Sequence, residues 1–374
     1  MSEAPLSFDR ISRAVRAREP LSEPLVQGVQ ETLFVTGREP RPSVVSVERV
    51  TPLVATGDEP TYRVDLEVSD RVIGTHAFGP GMEGTKVPSR RTLFDEREHA
   101  QHLTGFLPDH LGLRSTPARL DRRFVPRTKR RVPEPGDPDA QWATTIFGTD
   151  DRYAFNDTSF PWCTTGRVET SNGGWASGTM IGPRHLLTCS HAIGWITNPD
   201  PYVAGWVKFM PGYFDGSTPF GTAWGTHIYW QQQVFGPTVD STEERHDYVV
   251  VVLDRRMGDL TGWMGSRSYS DDWDGGTYWS HVGYPQDISS GTRPIFVGNF
   301  SLDGRDTEPD SDEAMLHQAD VIPGQSGGPM FGWWDGEPWP RVVADQSWQS
   351  STSNGASGGS QMVDLVIRAR NEFP

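Results

Sequence analysis

Three short stretches of the chain carry residue types that can act on an acyl carbon. The first is Pro323-Gly324-Gln325-Ser326-Gly327-Gly328-Pro329. A serine hydroxyl is a poor nucleophile until a base removes its proton. It also needs N–H groups aimed at the oxyanion that forms on attack. Glycines around the serine permit the tight backbone that points two N–H groups at one place. Gly324 and Ser326 are the expected donors. A plain Gly/Ser/Pro turn accounts for the heptapeptide equally well when it is taken alone.

The second stretch is Leu186-Leu187-Thr188-Cys189-Ser190-His191-Ala192, an apolar strand running into a histidine. An imidazole at a strand end can serve as general base and then as general acid. The third is His246-Asp247 followed by the apolar run Tyr248–Leu253. An aspartate opening a core strand is desolvated and held, which suits a group that orients an imidazole. Asp240 and Asp254 are weaker competitors, since neither precedes a core strand as closely.

Positioning these groups requires many strands. After residue 140, β-type runs recur at Gly166–Thr170, Ala176–Ile181, His185–Cys189, Trp206–Phe209, Tyr248–Leu253, Thr277–Val282, Pro294–Asn299, Met315–Gln318, Met330–Trp334 and Arg341–Ala344. Gly, Pro, Asn and Asp separate them, a pattern that predicts an all-β sandwich or barrel pair. Residues 345–360 are rich in Ser and Gly and are expected to include an irregular surface loop. Ser360–Glu372 predicts a terminal helix, with Met362, Val363, Leu365 and Val366 on its apolar face. Before residue 131, helical spacing covers residues 6–18 and 89–107, and residues 43–53 and 61–73 read as strands. His99 and His102 lie three apart on the expected second helix, without a third metal ligand.

The order His191, Asp247, Ser326 on a β background is that of chymotrypsin-type enzymes. The chain resembles the trypsin-like serine proteases, and within them the glutamyl-endopeptidase-like branch. The matching segments are Phe147-Gly148-Thr149-Asp150-Asp151-Arg152, Ser177-Gly178-Thr179-Met180-Ile181-Gly182, and the three motifs above. The likeness covers roughly residues 143–372. It implies a double six-stranded β-barrel with a C-terminal helix, preceded by a small α+β N-terminal region. It also implies peptide hydrolysis through an acyl-enzyme, without a cofactor. His191 would be the base, Asp247 its orienting partner and Ser326 the nucleophile. The N–H groups of Gly324 and Ser326 would form the oxyanion hole. Ser347-Trp348-Gln349 looks like the strand that pairs with the substrate backbone.

The chain departs from that family at several positions. Gln325 replaces the aspartate that pairs with a buried N-terminus. Val321 and Gln346 stand where the glutamyl branch carries a hydroxyl residue and a histidine. Asp320 stands where enzymes preferring Arg or Lys carry a pocket carboxylate. Primary specificity is therefore open between basic residues, glutamate and others.

The chain has 374 residues and a formal net charge of -15. Clustered Lys and Arg, which nucleic-acid binding requires, are not favoured by that balance. No apolar run reaches the ~20 residues of a membrane helix. The first residues show no apolar core of a signal peptide, although the resemblance implies secretion. Through Arg131 there are 21 Lys+Arg and 18 Asp+Glu; subtracting from the totals of 34 and 49 leaves 13 and 31 after it. All 14 Trp and both cysteines also follow Arg131.

Three units are thus expected: an N-terminal pro-region or accessory domain (1–131), a linker (132–142) and a protease domain (143–374). The basic, proline-rich stretch 127–139 invites cleavage near Arg131, with the intact chain less active than the cut one. Cys163 and Cys189 fit no zinc spacing, and a disulfide between them is open. Asp271, Asp272 and Asp274, and the run 303–313, read as solvated acidic loops rather than calcium sites. No metal is expected. The expected partners are protein or peptide substrates met by a monomer, with no nucleic acid and no membrane. An inactive binding module on the same fold, or esterase or acyl transfer by the same triad, remains open.

Overall fold

The strand Val249–Leu253 shows how the fold is layered. All five residues are buried, and successive side chains point to opposite sides. Val249, Val251 and Leu253 enter one apolar cluster. Val250 and Val252 enter a second, shared with Met362, Val363 and Val366 of the terminal helix. Both faces are covered, so the sequence runs apolar without alternation. Each such side chain contributes about 1.5–3 kcal/mol on burial.

The computed structural model describes residues 3–22, 102–120, 146–196, 203–236, 238–240, 242–304 and 313–374. It also gives the backbones of strands Thr32–Phe34, Pro42–Val50, Thr61–Val68 and Arg71–Ile73. Two sheets organise the chain after residue 146. In the first, Val207–Pro211, Thr165–Thr170, Trp175–Gly182, His185–Thr188, Val249–Leu253 and Ala223–Trp230 follow one another. Pairing of Lys208 with Trp224 and Phe209 with Ala223 closes these six into a barrel. Thr61–Val68 pairs with the free half of Ala223–Trp230, and Pro42–Val50 lies beyond it.

The second sheet forms a half-barrel. It runs from Leu302–Asp303 through Glu313–His317, Asn354–Gly358, Arg341–Gln349, Pro329–Gly332, Trp279–Gly283 and Ile295–Phe300 to Tyr153–Ala154. Tyr269, Trp273, Trp279 and Trp334 fill its apolar cluster. The helix Ser360–Glu372 closes the chain, burying Met362, Val363, Leu365, Val366 and Ala369. The expected mostly-β class is borne out, as one closed six-stranded barrel, a half-barrel sheet and a C-terminal helix.

Several local expectations are corrected. The irregular loop expected within 345–360 is confined to residues 350–353, between Arg341–Gln349 and Asn354–Gly358, which form an antiparallel pair. Their small residues are packing requirements, since a Cβ on Gly358 would come within 3.1 Å of the Ala344 Cβ. Ala223–Trp230 is a strand that no period-2 signal marked. The helix expected at 6–18 is shorter, Phe8–Ala14. Of the helix expected at 89–107, residues 89–101 lie outside the described residues, and His102–Leu103 is a strand. There Leu103 pairs with Ser266 and its carbonyl accepts from Arg341 at 2.6 Å. Neighbouring strands supply the hydrogen bonds that a helix would otherwise make internally.

The described N-terminal segments pack into the part that follows residue 146. The Leu6 N–H donates to Trp333 O and the Phe8 N–H to Thr277 O. The Trp334 indole donates to Glu3 O. Leu6, Ile11, Val15, Leu111 and Leu113 share one apolar cluster with Phe160 and Trp333. The junction 127–139 lies outside the described residues.

Candidate active site

The antiparallel register of two strands brings the histidine to the aspartate. Thr188 pairs with Val249 and Leu187 with Val250. His191, three residues past Thr188, therefore lies beside Asp247, two residues before Val249. The His191 N–H donates to Asp247 Oδ1 at 2.8 Å. Its ring Nδ1 lies 2.6 Å from Asp247 Oδ2. A carboxylate oxygen only accepts, so Nδ1 carries the hydrogen and Nε2 presents a lone pair.

Asp247 is fully buried, and the Ser347 hydroxyl donates to its Oδ2 at 2.6 Å. Burial opposes a charged imidazole here, but the Asp247 carboxylate outweighs it and holds His191 well above its ordinary pKa. Burial pushes the Cys189 thiol up, so it is uncharged at neutral pH. Its Sγ lies 3.7 Å from His191 Nε2. Cys163 and Cys189 are both free, buried thiols.

Ser326 sits in the loop that joins Glu313–His317 to Pro329–Gly332, both strands of the second sheet. The Gly327 N–H donates to Gln346 O at 2.7 Å, and the Gln346 N–H to Gly328 O at 2.9 Å. These bonds tie the loop to the strand that carries Ser347. On the other side, the Ser177 N–H donates to Ser326 O at 2.8 Å. A Cβ on Gly327 would stand 2.7 Å from Cys189 N. The serine loop thus abuts the chain leading into His191 and the strand that carries Ser347.

Gly324 has φ +98°, a conformation that favours glycine. The Gln325 carbonyl accepts from the Gly328 N–H at 2.9 Å. The Gln325 side chain accepts from the Ile322 N–H at 2.9 Å, bracing the loop. Among the described residues, no protein carbonyl takes the N–H of Gly324 or Ser326.

The expected specificity residues lie beside this loop. Asp320 is 3% exposed. Its Oδ1 accepts from the Phe147 N–H at 2.7 Å, while Oδ2 is buried and unpartnered among the described residues. Burial raises its pKa to about 6 against that hydrogen bond. Arg152 pins the covering segment through Asp150 at 3.0 Å and Asp287 at 2.8 Å. Val321 is buried in the apolar cluster of the second sheet. Gln346 is buried, its amide donating to Trp348 O at 2.7 Å. Trp348 and Ser347 lie on the strand Arg341–Gln349.

Two groups at the site were assigned no role from the sequence. Asp345, one strand step pair before Ser347, is fully buried. Neither of its carboxylate oxygens meets a partner on another described residue. Burial, then the nearby Asp247 charge, keeps it protonated well above the usual carboxylate range. Ser177 is the other, visible only once the sheets are assembled. Among the described residues no group of three or more side chains is arranged to hold a metal. Asp274 instead accepts from the Tyr269 hydroxyl and the Gly304 N–H, and Asp303 accepts from the Gly275 N–H.

No known family profile matches the chain. The glutamyl endopeptidase of Bacillus licheniformis is 28% identical over 193 residues, 50% of this chain and 54% of that protein. The chain thus spans about half the length of this curated relative. A solved Glu endopeptidase in complex with MPD aligns with TM-score 0.49 and 20% identity, over 61% of this chain and 100% of that one. The protease Anisep from Arthrobacter nicotinovorans aligns with TM-score 0.40 and 16% identity, over 56% and 93%. The likeness to the glutamyl-endopeptidase-like branch of the trypsin/chymotrypsin class is borne out.

Proposed function

We propose that the chain is a serine endopeptidase that hydrolyses peptide bonds through an acyl-enzyme. The observation that carries this reading is His191, bound by ring and backbone to buried Asp247, with the Ser326 loop against its approach strand. In the mechanism, His191 Nε2 takes the Ser326 proton as Oγ attacks the scissile carbonyl. Asp247 stabilises the imidazolium. The N–H groups of Gly324 and Ser326 receive the oxyanion. His191 then protonates the leaving amine, and water hydrolyses the ester by the reverse proton path. Every step uses the chain's own residues.

The name of the Bacillus relative points to cleavage after glutamate. The pocket residues favour a basic residue instead, because the Asp320 carboxylate would repel a glutamate side chain and pair with Arg or Lys. The covering segment at Phe147 must yield for that pairing to form.

Two measurements on the full chain test the reading. A fluorophosphonate should label the wild type and not Ser326→Ala. Absence of labelling in the folded wild type would leave a binding module on a protease fold. A peptide-library digest read by mass spectrometry should show amide cleavage after Arg or Lys, with that preference lost in Asp320→Ser. Ester turnover without peptide cleavage would favour the acyl-transfer alternative, and cuts after Glu would refute the pocket assignment.

A further inference from the structure

Ser177 is fully buried on the strand Trp175–Gly182, and it contacts the serine loop twice. Its hydroxyl donates to the Gly324 carbonyl at 2.8 Å and accepts from the Tyr284 N–H at 2.9 Å. Its N–H donates to the Ser326 carbonyl at 2.8 Å. Its own carbonyl accepts from the Thr188 hydroxyl at 2.8 Å, one residue before Cys189. The carbonyl of the intervening Gln325 accepts from the Gly328 N–H.

Three consecutive carbonyls, at 324, 325 and 326, therefore have fixed partners. Two of those partners belong to Ser177. Glycine at 324 rotates with little steric resistance, so the peptide that follows it, Gly324 C=O with Gln325 N–H, must be held from outside. The Trp175 indole supports the same plane: its Nε1 donates to Tyr284 O at 2.9 Å and lies 2.7 Å from where a Gly324 Cβ would stand.

We propose that Ser177 is a positioning residue for the oxyanion hole. Its hydroxyl fixes the Gly324–Gln325 peptide, which links the two peptides that carry the Gly324 and Ser326 N–H groups, so that these donors converge on one point before substrate arrives. The inference rests on Ser326 being the nucleophile. Oxyanion donors act mainly in the transition state, so their misalignment lowers kcat more than it raises KM.

The test uses the full chain and a peptide substrate taken from the library digest. Ser177→Ala should lower kcat roughly 10–100-fold, with KM within about twofold of wild type. Affinity for a peptide aldehyde, which forms the tetrahedral adduct, should fall in parallel. Affinity for the corresponding product peptide should not change. Ser177→Cys, which keeps a weaker donor in place, should fall between the two and stands in if the alanine variant does not fold. Thr188→Val removes a buried hydrogen bond on the same residue without touching the hydroxyl, and should leave kcat within about twofold. Wild-type kcat in Ser177→Ala, or an equal loss in Thr188→Val, would overturn the inference while the protease reading stands. A wild type that neither cleaves nor labels would overturn both.

Discussion

The Ser347 hydroxyl and the His191 imidazole share one acceptor: each lies 2.6 Å from Asp247 Oδ2. Ser347 comes from the second sheet and His191 from the first barrel. The shared oxygen therefore ties the two sheets together at the buried carboxylate. This relationship makes Asp247 a matter of inter-sheet geometry as well as of charge.

Asp247→Asn should lower kcat by about 10³–10⁴-fold, because an amide can hold the wrong imidazole tautomer. Ser347→Ala removes one of the bonds on the same carboxylate. Its kcat should fall roughly 10–100-fold, the equivalent of the about 1.5–3 kcal/mol of a hydrogen bond to a charged group. Steady-state kinetics on the same peptide would compare the two. An inverted order would count against the shared-acceptor account.

The acid limb of kcat/KM should lie above about pH 6.5, the ordinary histidine value. The sign follows from the site: the base acts only when neutral, and Asp247 holds His191 well above that value against burial. In Asp247→Asn the limb should move down. A pH–rate profile in which it stays fixed would assign the limb to another group.

Asp345 should make the fold less stable as pH rises. The folded chain keeps its carboxyl protonated well above the usual range, whereas the unfolded chain releases that proton above about pH 4. The folded state binds more protons in that window, so stability falls with increasing pH. Asp345→Asn keeps the shape and removes the titration. Its melting midpoint should exceed wild type at about pH 8 and converge with it below about pH 4. An equal gap at both values would refute the assignment.

A cut within 127–139 should not release the N-terminal part. Leu6, Ile11, Val15, Leu111 and Leu113 are buried in the same cluster as Phe160 and Trp333, and the Leu103 carbonyl binds Arg341. After limited trypsin digestion the two pieces should co-elute on size exclusion and separate only in denaturant. Peptidase rates before and after the cut, on the same sample, would show whether the intact chain is the less active form. Separation under native conditions would make residues 1–131 a removable pro-region.

Asp320 should tie any basic preference to pH. With its carboxyl titrating at about 6, cleavage after Arg or Lys should weaken relative to neutral residues as pH falls below that value. A preference unchanged across that range would place the charge recognition elsewhere.

The sequence alone marked Ser326, His191 and Asp247, because their chemistry depends on short local contexts. A glycine-flanked serine, a histidine at the end of an apolar strand and an aspartate opening a valine run are each legible within seven residues. The strands flanking them were legible for the same reason, as apolar runs bounded by turn residues. Four decisions needed the tertiary structure. Asp345 lies in a stretch that reads as a loop, and only burial beside Asp247 makes it a neutral acid. Ser177 looks like any strand serine until Gly324 and Tyr284 are brought to its hydroxyl. His102 and Leu103 read as helical, yet form a strand because Gly265–Arg267 offers them backbone partners. The composition change at Arg131 suggests two bodies, whereas burial of Leu6 and Leu113 joins the described N-terminal segments to one core. Local sequence encodes reactivity and apolar pattern. Contacts between residues a hundred or more positions apart, here Ser347 with Asp247 and Ser177 with Gly324, arise only when strand register and sheet packing set the distances.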